Sequence, residues 1–311
     1  MDAADQALVD LGEELRRCDY RFTTITPASH HVVNGRPATQ ASSLQRVFGW
    51  SRPFAADDLS GAMLELLDTA GALEEHEDGL RSAVRFSTLG EQLFVHSAFP
   101  TDAPDSVFFG PDTYRFARAL KHAVDRSTAP MTLIDVGCGS GAGGLYAARL
   151  LASTTRCDLI LADINPKAVR YSRINARLNE IDNVRTVLSD LFSQINDGGD
   201  FIVSNPPYLV DRAARTYRHG GGALGFDLSL RIVEEGLDRL YPGGRLLLYT
   251  GAPMIAGEDV FFETLRPRLD ARCCRYTYEE IDPDVFGEEL QVAPYDKVDR
   301  IAAVALTVDV E

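Results

Sequence analysis

The chain has 311 residues, 45% hydrophobic and 25% charged, enough for about two domains with cores of their own and unlike a disordered, collagenous or coiled-coil protein. Thirty-one Lys and Arg against 46 Asp and Glu leave a formal net charge of -15. That charge repels a phosphate backbone unless the cations gather on one face, so nucleic acid is the disfavoured partner. No apolar run approaches the ~20 residues of a membrane span. Met1-Asp2-Ala3-Ala4-Asp5 places no basic segment ahead of an apolar stretch, so a cytoplasmic protein with no membrane partner is expected. Cys18, Cys138, Cys157, Cys273 and Cys274 lack metal-ligand spacing, which predicts reduced, structural thiols and no metal site.

Helical spacing predicts a helix over Ala7 to Arg17 and another over Asp58 to Ala72, with Asp57 or Asp58 as its N-cap and Gly71 as its stop. Glu74 to Gly79 reads as a polar turn. Ala83 to Phe86 and Gln92 to His96 read as two strands around Thr88-Leu89-Gly90. A helix followed by a hairpin resembles the end of a winged helix, but the acidity around the supposed wing favours a docking or lid module over a DNA-binding one. Residues 1–99 are therefore expected to form a small α+β domain. Pro100 to Pro111, rich in proline and aspartate, reads as a connection, and 100–311 as the second domain.

From Tyr114 onward strands and helices alternate. Helices are predicted over Tyr114 to Asp125, Gly143 to Ala152, Pro166 to Asn179, Leu228 to Leu240 and Val260 to Leu269. Strands are predicted over Met131 to Val136, Cys157 to Ala162, Val184 to Leu188, Phe201 to Ser204, Arg245 to Thr250, and near Arg275 to Glu280 and Arg300 to Val308. Repeated βα units predict a parallel sheet covered on both faces.

The first of these strands runs into Gly137-Cys138-Gly139-Ser140-Gly141. Glycines there allow a sharp turn and let a ligand approach backbone N–H groups at the carboxyl edge of the sheet. Gly139, Gly141 and Gly144 also satisfy the dinucleotide fingerprint, so other residues must decide the ligand. Asp135, just before the first glycine, would repel a pyrophosphate and attract a cationic amino group; its plainer role is to cap loop amides. Asp163 ends the next strand, where a carboxylate accepts both ribose hydroxyls or caps the helix at Pro166. Asp190 ends the third strand, where it reads an adenine amino group or serves as an ordinary loop acid.

An acid each for an ammonium, a ribose and an adenine describes S-adenosyl-L-methionine. D-V-G-C-G-S-G, A-D-I-N-P and S-D-L-F resemble the binding motifs of class I S-adenosylmethionine-dependent methyltransferases over about residues 108 to 308. The resemblance implies a Rossmann-like α/β sheet of seven strands, the last antiparallel. It implies cofactor contacts from Asp135, Gly137, Gly139, Gly141, Asp163, Ile164, Asp190 and Leu191, and from Asn205. Phe108, Phe109, Asp112 and Thr113 are expected to cap the cofactor from the other side.

The fourth strand delivers Asn205-Pro206-Pro207-Tyr208 to the same edge. Two prolines remove two amide donors and stiffen the turn, leaving carbonyl oxygens as fixed acceptors. An amide or aromatic amine nitrogen is a poor nucleophile because its lone pair is conjugated. Holding its hydrogens with the Asn205 side chain and the Pro206 carbonyl orients that lone pair, and Tyr208 stacks on the planar group.

N-P-P-Y resembles the amino-group methyltransferases that act on glutamine side chains or nucleobase nitrogens. Gly110-Pro111-Asp112-Thr113, Ala223-Leu224-Gly225-Phe226-Asp227 and Leu240-Tyr241-Pro242-Gly243-Gly244 are similar to segments of the protein-(glutamine-N5) methyltransferases that modify release factors. Two features depart from that family. Arg218-His219-Gly220-Gly221-Gly222 replaces its Glu-Pro, and residues 1–99 do not match its helical bundle. Both fall where an acceptor is chosen, so Pro207, Tyr217 and His219 are the candidate acceptor contacts. The expected activity is methyl transfer to a planar nitrogen, possessed by a protein glutamine or a small molecule. Alternatives are a small-molecule N- or O-methyltransferase, an rRNA or DNA nucleobase methyltransferase, and a cofactor-sensing winged-helix protein without turnover.

Overall fold

The structure, a computed structural model, describes residues 1–36, 43–124, 131–152, 156–211 and 215–311. Helix α1 (Ala3–Arg17) starts on Asp2, whose carboxylate accepts the Asp5 N–H, and buries Leu8, Leu11 and Leu15 along one face. Helices α2 (Pro27–Asn34), α3 (Ser43–Phe48) and α4 (Gly61–Thr69) follow. The α4 start differs from the expected one. Ala56–Asp58 is a single 3-10 turn, and Ser60 caps α4 by accepting the Met63 N–H. Asp58 is occupied elsewhere, with the Ala55 N–H and with Arg46. Gly71 (φ 63°) stops the helix as expected.

Two hairpins complete the N-terminal part. The stretch expected as a polar turn is itself a hairpin, β1 (Leu73–His76) with β2 (Gly79–Ser82), because only Glu77 and Asp78 are needed for the reversal and the remaining charges point to solvent. The expected pair is β3 (Val84–Leu89) with β4 (Gln92–Ser97).

The C-terminal part alternates α5 (Pro111–Ala123), β5 (Met131–Val136), α6 (Ala142–Leu151), β6 (Cys157–Asp163), α7 (Pro166–Leu178), β7 (Val184–Leu188), β8 (Gly199–Ser204), α8 (Asp227–Leu237), β9 (Leu240–Ile255), the two-residue β10 (Glu258–Asp259), α9 (Val260–Ala271), β11 (Arg275–Asp282) and β12 (Arg300–Asp309). The expected end of α5 at Asp125 lies outside the described residues. The sheet order is β11-β12-β9-β8-β5-β6-β7, with β10 as an appendage of β9. Pairings among β5 to β9 are parallel, and β12 runs antiparallel to both neighbours. This is the seven-stranded sheet with an antiparallel last strand. Leu133, Ile134, Leu161, Ile202 and Val203 are fully buried, as strands covered on both faces must be. The connections from β5 and β8 leave in opposite directions across the sheet, which opens a crevice at their carboxyl ends. All five cysteines are free thiols. Among the described residues no helix is long and apolar enough to cross a membrane.

The N-terminal part packs on α7. Leu8, Leu11, Leu15 and Phe86 share one core with Tyr171, Ile174 and Leu178. Beside that core Asp5, 1% exposed, accepts from Arg170 (2.6 Å) and Arg173 (2.8 Å). Burial pushes the Asp5 carboxyl up, but the two arginines outweigh it and hold its pKa below the ordinary value. The stabilisation is therefore present above the unfolded pKa of about 3.9 and is lost as pH falls through the lower folded value. Asp5→Asn should cost about 1–3 kcal/mol in urea unfolding at pH 7, a range discounted for the partly exposed arginines. The gap from wild type should narrow below about pH 3.5; a constant gap across that range would contradict the ion-pair account.

Candidate active site

The crevice is built from strand ends. After β5 the chain turns through Gly137, Gly139 and Gly141, whose φ angles of 69°, 54° and 76° lie in the left-handed region. An added Cβ at Gly137 or Gly139 would meet nothing within 4 Å, so these two glycines leave the loop open toward the crevice. Gly141 does not line it. Its Cβ would lie 3.0 Å from the Ser172 Cβ, so that glycine serves the packing of the loop on α7. The loop is held from behind: the Gly137 and Cys138 N–H groups donate to the Ala162 carbonyl (2.8 and 3.0 Å), and the Gly139 N–H donates to Asp163 (2.8 Å).

A cavity of about 320 Å³ lies over this loop, within the range of small-ligand pockets. Asp135, 2% exposed, reaches it from below while its Oδ2 accepts the Gly144 N–H at 2.7 Å. Asp135 thus holds an amide in the first turn of α6, not one of the loop amides expected, and still reaches the cavity. Burial, reinforced by Asp163, pushes the Asp135 carboxyl up to about 7. The Asp163 carboxylate accepts the Asn165 N–H through Oδ1 and the Gly139 N–H through Oδ2, both at 2.8 Å. Burial raises its pKa while these bonds oppose the rise. Asp163 does not cap α7; Asn165 does, accepting the Lys167 N–H at 2.9 Å.

Ile164, 56% exposed, and the buried Leu191 (φ 47°) present apolar surface to the cavity. Asp190 lies exposed at its rim, 4.0 Å from Arg231. Thr113 lines the opposite wall and accepts the Gly110 N–H at 3.2 Å. Phe109 does not reach the cavity. It stacks on His96 at 5.0 Å in the core, and its neighbour Phe108 forms the wall instead, because successive residues of an extended segment point to opposite sides.

Asn205, Pro206 and Pro207 separate this cavity from a second one of about 60 Å³. Among the described residues no hydrogen bond engages the Asn205 side chain or the Pro206 carbonyl; both acceptors remain open. Tyr208 is absent from the main cavity and forms a wall of the second. Its ring, 6% exposed, meets Phe286 edge-on and presses on Gly251, where an added Cβ would come within 2.2 Å of it. Its hydroxyl donates to Asp112, which also accepts from Tyr249 and Arg115, both at 2.9 Å. Sequence reading missed this brace, since nothing in the spacing of positions 112, 208 and 249 signals that they meet; Asp112 braces the turn and lines only the second cavity. Tyr217 and His219 line the main cavity, and Tyr217 the second as well. The Tyr217 ring lies parallel to Phe108 at 5.7 Å and its hydroxyl donates to the Thr101 carbonyl at 2.8 Å. The exposed His219 accepts the Asp211 N–H at 3.2 Å.

The donor set tests the ligand. The described lining of the main cavity holds Asp135, Asp163 and Asp190 and no Lys or Arg. Such a site repels a pyrophosphate and suits a ligand carrying cationic groups, a sugar and a purine. S-adenosylmethionine fits it. With its carboxyl pushed up to about 7, Asp135 would have to give up a proton to pair with an ammonium. Titrations with S-adenosylmethionine should show affinity rising from pH 6 to pH 8, and Asp135→Asn should flatten the profile. The same raised pKa makes the ligand-free protein lose stability as pH climbs from about 4 to about 7, since the native state then binds more protons than the unfolded chain.

Residues 115–256 match the methyltransferase small domain family. The release factor glutamine methyltransferase of Deinococcus radiodurans is 35% identical over 139 residues, 40% of this chain and 49% of that protein. The ribosomal RNA small subunit methyltransferase C of Hamiltonella defensa is 32% identical over 120 residues, 39% of this chain and 32% of that protein. The matched stretch thus spans about half the length of the first and a third of the second. The crystal structure of Trm5b from Pyrococcus abyssi shares the fold, with a TM-score of 0.50 at 16% identity over 82% of this chain and 68% of that one. Motifs, strand order and these likenesses agree: residues 115–256 resemble the class I methyltransferase domains that use S-adenosylmethionine, that of the release factor glutamine methyltransferases among them.

Proposed function

We propose that the protein methylates a planar nitrogen, an amide or amino group, and that a glutamine side chain of a protein is the acceptor. The observation that carries this reading is the pair of unengaged acceptors, the Asn205 side chain and the Pro206 carbonyl, on the wall shared by the two cavities. In this reading Asp163 takes the ribose hydroxyls, Asp135 the ammonium, Asp190 the adenine amino group, and Ile164 and Leu191 flank the base. Residues 1–99 act as a docking or lid domain. The second cavity, about 60 Å³ with an aromatic wall, takes a carboxamide more readily than a whole nucleobase.

When bound, S-adenosylmethionine would supply a sulfonium methyl group for bonding to the acceptor nitrogen, with the C–S electron pair kept by the departing thioether sulfur. Asn205 and Pro206 accept the two N–H hydrogens of the acceptor, which turns its lone pair toward the main cavity. The prolines and the Tyr208–Asp112 brace hold those oxygens in place, so little ordering remains for the bound state. No strong base is needed in this scheme, because the methylated nitrogen can release its proton to water afterward.

Asn205→Ala should bind S-adenosylmethionine within about twofold of wild type and lose transfer by about 100-fold or more, the scale of a lost positioning contact; full turnover would remove the acceptor assignment. Asp163→Ala should weaken S-adenosylmethionine at least about tenfold, which calorimetry resolves as roughly 1.4 kcal/mol. To identify the acceptor, cell extract is incubated with the protein and methyl-labelled S-adenosylmethionine, then treated with protease or nuclease. Label released by protease supports the protein reading. Label released by nuclease would move the assignment to a nucleobase, and label in the small-molecule fraction to a metabolite.

A further inference from the structure

Strand β4 is the edge of a two-stranded sheet, so the outward N–H and C=O groups of Leu93 and Val95 need partners. Asn175 of α7 and Asn179 at its C-cap provide them. The Asn175 Oδ1 accepts the Val95 N–H (2.8 Å) and its Nδ2 donates to the Val95 carbonyl (2.9 Å). One turn later the Asn179 Oδ1 accepts the Leu93 N–H (3.1 Å) and its Nδ2 donates to the Leu93 carbonyl (2.9 Å). The match is geometric: four helical residues rise about 6 Å, close to the ~6.7 Å between alternate residues of a strand. The helix thus presents two amides as if they were a third strand.

Asn175 does more than Asn179. The second hydrogen of its Nδ2 goes to the Ser140 carbonyl at 2.8 Å, in the middle of the glycine loop, and the side chain is fully buried. A single planar amide therefore holds both the N-terminal hairpin and the loop over which the cofactor cavity lies. Its oxygen and both its hydrogens are engaged, so the group cannot rotate to suit the loop without releasing β4. Asn179 contacts β4 and the α1 residue Arg16 but has no bond to the loop.

Resting on the cofactor reading above, we propose that Asn175 is a positioning residue that links occupancy of the glycine loop to docking of the N-terminal hairpin. A ligand that orders the loop then strengthens the β4 contacts, and by thermodynamic reciprocity a docked hairpin strengthens ligand binding. The N-terminal module is in this sense part of the cofactor site, since Val95 and Ser140 share the one Asn175 amide.

The test uses the full chain and S-adenosylhomocysteine, the demethylated form of the cofactor, so that no acceptor is required. Calorimetry gives its affinity, and amide hydrogen exchange over residues 92–97 reports hairpin docking with and without it. The ligand should slow exchange in this segment at least about threefold in wild type. Asn175→Ala should bind roughly tenfold more weakly and show no ligand-dependent slowing, whereas Asn179→Ala should keep the slowing. Binding to wild type with unchanged exchange over 92–97 would overturn the linkage alone, and that measurement stands whether or not Asn175→Ala folds. Wild-type affinity in Asn175→Ala, or loss of slowing in Asn179→Ala as complete as in Asn175→Ala, would overturn the assignment to Asn175. Absence of any binding to wild type would overturn the cofactor reading and the linkage with it.

Discussion

The Asp163 carboxylate stands where two backbone turns meet at the end of β6. Through one oxygen it fixes the glycine loop after β5, and through the other it fixes the turn that starts α7. Together with the Ala162 carbonyl and the Asn175 bond to Ser140, those two bonds give the loop and α7 a common reference. Burying the carboxylate carries a desolvation penalty, which the two N–H donors offset in part. The seating of the loop beside the cavity and the turn into α7 both use that one group. The N-terminal part packs on α7 in turn, so its position relative to the cavity depends on the same carboxylate.

Charge decides what the cavity accepts. Three aspartates and no described Lys or Arg around the crevice make a site for a cationic ligand, and the acidity of the whole chain points the same way. Burial keeps Asp135 partly protonated, which spares the ligand-free protein an uncompensated buried charge. The acceptor side obeys a different rule. Its oxygens are neutral and fixed, and their contribution is orientation, supplied by two prolines and by the buried Tyr208 hydroxyl on Asp112.

Stiffness around the site comes from elements remote in sequence. Tyr208 after β8 and Tyr249 on β9 converge on the Asp112 carboxylate of α5. Thr101 in the connection grips Tyr217 beside the main cavity, and Asn175 grips β4 and Ser140 together. The connection between the two parts of the chain is thus built into the walls of the cleft: Ser106, Val107 and Phe108 all line it.

Strand runs such as Leu133 to Val136, the glycine turn and the two-proline corner are legible in the chain because each encodes a local conformation: an extended apolar segment, a left-handed turn, a backbone stripped of donors. Asp135, Asp163 and Asn205 are legible for a related reason, since a polar residue at the end of a buried strand must face the crevice. Which of two adjacent aromatics faces it is not. Phe108 lines the cavity and Phe109 the core because His96, Phe94 and Tyr114 surround the latter, a fact of packing that local spacing does not carry. The same holds for Asp163 and Asn165, which share two tasks that either could perform, and for Tyr208, whose hydroxyl finds Asp112 only once α5 lies across the strand ends. Local chemistry thus specified the elements and the polar groups at their ends, whereas contacts between segments a hundred residues apart settled how those groups divide the work, because hydrogen-bond partners are chosen by the folded geometry and not by the order of the chain.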